Sequence, residues 1–178
     1  MFEGKKVRLR SLELTDLDNL SKYDNDLEVR ITTGKAIPRS RGEYEDFIRS
    51  SWKLRQEGKG GIFAVETLTS KRFLGYCALI VKNRIARSYD LGIFIIDKTQ
   101  WDKGYGTDTM RVMLDIGFNY LNCHRIELGV YPINERGIHV YKKIGFKEVG
   151  RLRESRFMNG NYRDMIIMDI LEKEWKSE

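Results

Sequence analysis

Residues 91–107 read LGIFIIDKTQWDKGYGT, and the whole chain can be read outward from this stretch. The run Leu91-Gly92-Ile93-Phe94-Ile95-Ile96 is apolar and rich in strand-forming residues. Trp101-Asp102-Lys103-Gly104-Tyr105-Gly106-Thr107 follows as a glycine loop. Residues 107–121 then read as a helix with Met110, Met113, Leu114, Phe118 and Leu121 on one face. Strand, glycine loop and helix start together make an anion site. Glycine lets backbone N–H groups approach a phosphate. The helix N-terminus adds unpaired donors and a partial positive charge, and Lys103 adds a full charge beside them. The loop alone is a weak signal. The third glycine of a dinucleotide fingerprint is replaced by Thr109, no acidic residue ends a following strand, and no GxxxxGK[ST] occurs.

Before this stretch, residues 6–12 (KVRLRSL) alternate apolar and basic residues as a first strand does. Thr15 and Asp16 offer an N-cap to a short helix carrying Leu17, Leu20 and Tyr23. Residues 24–39 have weak periodicity and read as a loop with one further helical turn. Ser40 caps a helix over 42–56, whose stripe Tyr44, Phe47, Ile48 and Trp52 is more economically core than substrate cleft. Residues 62–67, 73–81 and 86–96 follow as three strands of an antiparallel meander.

After the stretch, helix and strand alternate. Residues 125–131 (RIELGVY) and 146–152 are strands, with a helix over 134–144 between them, capped by Asn134 and ended by Gly145. Asn159-Gly160 is a strong turn signal before a last strand over 162–171 and a helical end at Trp175. The pattern predicts one α+β domain over 1–178 with a mixed central sheet flanked by helices.

Composition narrows the function. The 178 residues are 41% hydrophobic and 33% charged, enough for a core and for solubility. No apolar run reaches the ~20 residues that span a bilayer, and the start MFEGKK lacks a signal-peptide core. These features point to a cytoplasmic protein without a membrane partner. Cys77 and Cys123 match no disulfide framework or zinc spacing and read as reduced structural thiols. No cluster suggests a metal. The net charge of +6 is scattered, and residues 13–28 are acidic, so nucleic acid is not the first reading.

The element order resembles the GNAT superfamily of N-acetyltransferases. Residues 90–153 are similar to its acetyl-coenzyme-A motifs in order. Residues 101–106 (WDKGYG) fill the phosphate loop usually written Gln/Arg-x-x-Gly-x-Gly/Ala. Residues 134–146 (NERGIHVYKKIGF) resemble the second signature, an Asn followed by Tyr-x-x-x-Gly-Phe. The tail, with Gly150-Arg151, Arg153-Glu154, Asn159-Gly160-x-Tyr162-x-Asp164 and Glu174-Trp175, is similar to the branch holding ribosomal-protein and spermidine acetyltransferases. Trp101 and Asp102 depart from the loop pattern. Asp102 would repel phosphate unless it points outward or caps the helix.

The resemblance implies acetyl-CoA as cosubstrate and a sheet splayed into a parallel pair at the cofactor site, with antiparallel strands toward the N-terminus. Gly92 is a candidate for a bulge that opens the sheet. The backbone of Ile93, Phe94 and Ile95 and the Asn134 side chain would contact pantetheine. Trp101, Asp102, Lys103, Gly104, Tyr105, Gly106 and Thr107 would surround the pyrophosphate. Tyr141 matches the family's general acid, which protonates the departing thiolate. For the base, Gly129 stands where some relatives have glutamate, which leaves Glu127, Asp90 or a water chain. Cys77 as a covalent nucleophile lacks a histidine to activate it. The implied acceptor is a small-molecule amine or polyamine, or a protein N-terminus. The acidic residues Asp24, Asp26, Glu28, Glu43, Glu45 and Asp46 favour a cationic one. A homodimer is compatible with these features, and nothing in the sequence demands it. The rival reading is a non-catalytic module that binds coenzyme A or nucleic acid.

Overall fold

The computed structural model describes residues 2–35 and 37–175. One eight-stranded sheet runs in the order β1-β2-β3-β4-β5-β6-β8-β7. Its strands are β1 Phe2–Glu3, β2 Val7–Ser11, β3 Gly60–Thr67, β4 Phe73–Asn83, β5 Ser88–Ile95, β6 Arg125–Val130, β7 Lys147–Met158 and β8 Asn161–Leu171. Every neighbouring pair is antiparallel except β5 and β6. Helices α1 Leu17–Tyr23, α2 Leu27–Thr33 and α3 Arg41–Gln56 precede β3, α4 Tyr105–Asp115 joins β5 to β6, and α5 Glu135–Ile144 joins β6 to β7.

Two apolar clusters lie on the sheet. One gathers Met110, Met113 and Leu114 of α4 against Leu79, Ile126 and Met168. The other gathers Leu20, Tyr44 and Ile48 against Ala64, Tyr76 and Ile96. The expected stripe of α3 is core: Tyr44 and Ile48 are fully buried, and Trp52 donates its indole N–H to the Leu12 carbonyl at 2.7 Å.

Local signals place most boundaries. Ser40 and Glu43 form a reciprocal capping box at the start of α3. Asn134 accepts the Gly137 N–H at 3.0 Å, and Gly145 ends α5 in the left-handed region. Asn159 and Gly160 both take positive φ in the turn between β7 and β8.

Four expectations need correction. Asp16 does not cap α1: both its oxygens receive the Arg10 guanidinium, at 2.6 and 2.8 Å. Residues 24–39 hold a full helix, α2, because the Asp26 carboxylate accepts the Glu28 and Val29 N–H groups; Ala36 of that stretch lies outside the described residues. Strand β7 extends to Met158 because β8 pairs with it to the turn. Gly92 is not a bulge. It pairs with Ala78 in a ladder whose register shift lies at Val81/Asn83, and its missing Cβ leaves room for the Phe94 ring, which would lie 2.9 Å away.

Helix α4 is tied to the sheet through a first-turn carboxylate. Buried Asp108 accepts the backbone N–H groups of Lys5, Lys6 and Val7 at 3.1, 2.7 and 2.9 Å. Its charge is thereby directed at β2, away from the glycine loop. Asp108→Ala should lower unfolding free energy by about 2–4 kcal/mol, because amides that its carboxylate serves lose a charged acceptor. Urea unfolding measures this, and a loss below about 1 kcal/mol would show that the carboxylate is not the anchor.

Candidate active site

β5 and β6 pair only at Ser88↔Arg125, Tyr89↔Ile126 and Asp90↔Glu127. Beyond Glu127, β6 continues beside β8 to Val130↔Ile166, while β5 stays on β4 up to Gly75↔Ile95. A wedge opens between them. The Ile96 N–H donates to the Leu74 carbonyl at 2.9 Å, which makes Gly75–Ile95 a non-hydrogen-bonded pair. By the alternation of an antiparallel ladder, Phe94 exchanges its bonds with Tyr76, and Ile93 and Ile95 turn their N–H and C=O groups into the wedge. Phe94 therefore reaches the opening by its side chain, not its backbone.

A cleft of about 530 Å³ fills the wedge. Ile93, Phe94 and Ile95 form one wall, and the α4 start at Gly104, Tyr105, Gly106 and Thr107 forms another. Asn134 and Tyr141 close the α5 side, and Val29, Thr32 and Thr33 of α2 close the far side. Gly104 is the N-cap of α4 at φ 83°, and the first intrahelical bond runs from the Asp108 N–H to its carbonyl at 3.1 Å. The amides of Tyr105, Gly106 and Thr107 precede that bond and stand at the cleft as helix-terminal donors. Lys103 does not line the cleft. Its ammonium donates to the Thr99 carbonyl at 2.9 Å, and Lys6 donates to the Lys103 carbonyl at 2.9 Å, so both cations brace the loop from outside.

Trp101 and Asp102 have defined roles. The Trp101 indole N–H donates to the Ile95 carbonyl at 2.7 Å, joining the loop to the β5 edge. Asp102 lies at the cleft rim, with its side chain 73% exposed, and meets Arg136, also at the rim, at 3.4 Å. The Arg136 guanidinium also lies 4.0 Å from the Trp101 ring centroid and 3.5 Å from Glu28 of α2. Arg136 thus straps α5, the loop and α2 together. It stood inside the second signature, but only the tertiary structure reveals its partners. The α2 residues at the cleft were missed because that segment read as a loop.

Tyr141 lines the cleft from α5, with its ring 6.1 Å from that of Phe146. Burial pushes its phenol up to about 12. Asn134 uses its amide oxygen to cap α5, which leaves its Nδ2 as the group for a ligand. Glu127 and Asp90 face each other in the last parallel pair, at the apex of the wedge, and neither lines the cleft. Glu127 is buried and paired with both Lys82 and Arg125. Partial burial raises the Asp90 carboxyl above the ordinary range, with Lys82 acting the other way. Cys77 and Cys123 are free and buried. Burial lifts the Cys77 thiol far above its usual value, so it supplies no thiolate.

A row of helix-terminal amides beside an open strand edge fits a diphosphate followed by an amide-containing arm. Residues 6–147 match the family model described as acetyltransferase (GNAT) domain. The spermidine N(1)-acetyltransferase of Escherichia coli K12 is 31% identical over 178 residues, covering 100% of this chain and 92% of that protein. The L-amino acid N-acetyltransferase AaaT of the same organism is 32% identical over 119 residues, covering 66% of this chain and 73% of that protein. The crystal structure of the Vibrio cholerae spermidine N-acetyltransferase with CoA and spermine superposes with a TM-score of 0.84 at 31% identity, covering 94% and 96% of the two chains. The chain belongs to the GNAT acetyltransferase family. It is an acetyl-CoA-dependent N-acetyltransferase built on a single GNAT fold. Among the described residues no helix is long and apolar enough to cross a membrane.

Trp101→Phe removes the indole donor and weakens the Arg136 stack. Acetyl-CoA affinity should fall by roughly 5- to 30-fold, equivalent to about 1–2 kcal/mol. Isothermal titration checks this, and unchanged affinity would show that the loop holds its shape without that bond.

Proposed function

We propose that this enzyme transfers acetyl directly to a primary amine on a small molecule, a polyamine above all, with Tyr141 as general acid. A protein N-terminus is the second acceptor class. Bound acetyl-CoA supplies an activated acetyl group and a thiolate leaving group. The Tyr105, Gly106 and Thr107 amides hold its diphosphate, with Trp101, Asp102 and Lys103 shaping the loop around them. The free N–H of Ile95, both backbone groups of Ile93 and the Asn134 Nδ2 align the pantetheine arm, and the Phe94 ring packs beside it.

The observation that carries the assignment is Tyr141: a protonated phenol on the cleft wall, with no hydrogen-bond partner for its hydroxyl among the described residues. An ordinary phenol and thiol have pKa values of about 10 and about 8.5. Burial raises Tyr141, and desolvation raises a thiolate's proton affinity in the same sense, as burial in the core does for the Cys77 thiol. Desolvation therefore makes the sulfur a better proton acceptor in the place where the donor stands. Of the two carboxylates at the apex, Asp90 is the better base, reached through water. Glu127 serves instead to hold Lys82 and Arg125. The relatives named for spermidine and for L-amino acids share amine acetylation and differ in acceptor, which supports the chemistry more firmly than the substrate.

Tyr141→Phe should lower kcat by roughly 10²- to 10⁴-fold with acetyl-CoA affinity unchanged. Thiol release and titration measure the two, and wild-type turnover in the variant would remove Tyr141 from the mechanism. The pH profile gives an independent check. A general acid must be protonated, so activity that needs Tyr141 falls only as pH rises through its raised value of about 12. Below that, kcat should rise and then level as the acceptor deprotonates. A descending limb near the ordinary phenol value of about 10 would contradict this account.

A further inference from the structure

The face of the sheet opposite α4 carries a second polar site that the transfer mechanism leaves unused. Asp24 is fully buried at the end of α1. Its carboxylate accepts the Tyr44 hydroxyl at 3.1 Å and is paired with the Lys35 ammonium. Lys35 follows the left-handed Gly34 that ends α2. Its ammonium also donates to the Tyr76 hydroxyl at 2.7 Å and lies 5.2 Å from the centroid of the Phe94 ring. Phe94 stacks on Tyr76, with centroids 4.8 Å apart, and is itself a wall of the cleft. A carboxylate, a phenol hydroxyl and an aromatic ring thus surround one alkylammonium, one ring away from the reaction cleft.

We infer that Asp24, Tyr76 and Phe94 form the acceptor's ammonium-binding site, and that Lys35 occupies it as a placeholder which the acceptor displaces. This rests on the amine-acetyltransferase reading and names the part of the acceptor the enzyme recognises. A buried carboxylate is tolerated only while a cation faces it. Of the other cations nearby, buried Arg30 donates to Asn25 at 3.2 Å and to the Ile37 carbonyl, and Arg39 lies over the Phe47 ring. Lys35 therefore neutralises Asp24 with a head group of the same chemistry as a primary alkylamine, on a long flexible stem. The site also dries its guest: burial is the main reason the Lys35 ammonium gives up its proton more readily than usual, with Asp24 opposing. The outer acidic residues are less suited to this task. Asp26 pairs with Lys98 at 2.8 Å, and Glu28 meets Lys98 and Arg136 at 3.5 Å each.

A tethered competitor acts at an effective concentration in the millimolar range. Removing it should tighten acceptor binding, whereas removing its carboxylate should weaken it. The test uses steady-state kinetics with acetyl-CoA and spermidine, whose further amines can bind as ammonium while one reacts. Lys35→Ala should lower the acceptor KM by at least fivefold, and Asp24→Asn should raise it by at least tenfold, with the acetyl-CoA KM unchanged in both. Lys35→Gln keeps a donor for Asp24, replaces Lys35→Ala if that variant does not fold, and should move KM in the same direction. A purely structural ion pair would give effects of one sign, or none, in the two partners, and either outcome overturns the inference. Absence of thiol release from the wild type with any amine would instead defeat the enzymatic reading itself.

Discussion

β5 and β6 run parallel for three residue pairs and then part, and the rest of the molecule follows from that short ladder. β6 cannot stay with β5, because it pairs along its whole length with β8. β5 cannot follow β6, because it is held to β4 as far as Ile95. At the last shared pair, Glu127 is 2% exposed and faces Lys82 and Arg125, so the apex is fixed by charges as well as by main-chain bonds. Past it, both backbone groups of Ile93 and the Ile95 N–H point into an opening with no strand to receive them, the Ile95 carbonyl being taken by Trp101. Unpaired main-chain groups in a partly dry site call for a partner. Here the start of α4 adds further donors to the same opening.

The glycine loop and the helix ends that frame the cleft were legible because their causes are local. Gly104 and Gly106 lie two residues apart in the loop, Asn134 caps the helix it begins, and Gly145 ends it. Each acts on its own backbone, so spacing alone carries the information. The wedge itself was not readable from composition or periodicity. It depends on β8 arriving beside β6 from the far end of the chain, and it entered the sequence reading only through family resemblance. Gly92 shows how local reasoning fails here. A strand glycine suggests a bulge, yet its ladder is regular and its bare Cα admits the Phe94 ring.

Side-chain pairings across long sequence gaps account for the remaining misses. Arg136 joins Asp102, Trp101 and Glu28, and none of these contacts leaves a periodic trace. α2 hides for a related reason. Only Val29 and Arg30 of its seven residues are buried, so it has too little apolar face to show a helical stripe, and the Asp26 cap sits among other acidic residues. β7 is exposed along nearly its whole length and lacks alternation, so its extent is set by pairing with β8, not by burial.

The two halves of the cleft use different parts of the chain, which bears on how such enzymes diverge. On the proposed reading the cofactor side is built from main-chain groups, so many side chains around it can change without altering what it binds. The proposed acceptor site, behind the Phe94 wall, draws instead on side chains: Asp24 after α1, Lys35 after α2, Tyr76 of β4 and Phe94 of β5. A few substitutions there would change the charge and shape offered to the amine. Relatives at 31% and 32% identity to this chain are named for different amines, spermidine and L-amino acids, as that division allows. The buried charge at Asp24 costs stability wherever no cation covers it. On the proposed reading, the lysine that covers this charge one ring from the cleft keeps the place of an acceptor's ammonium.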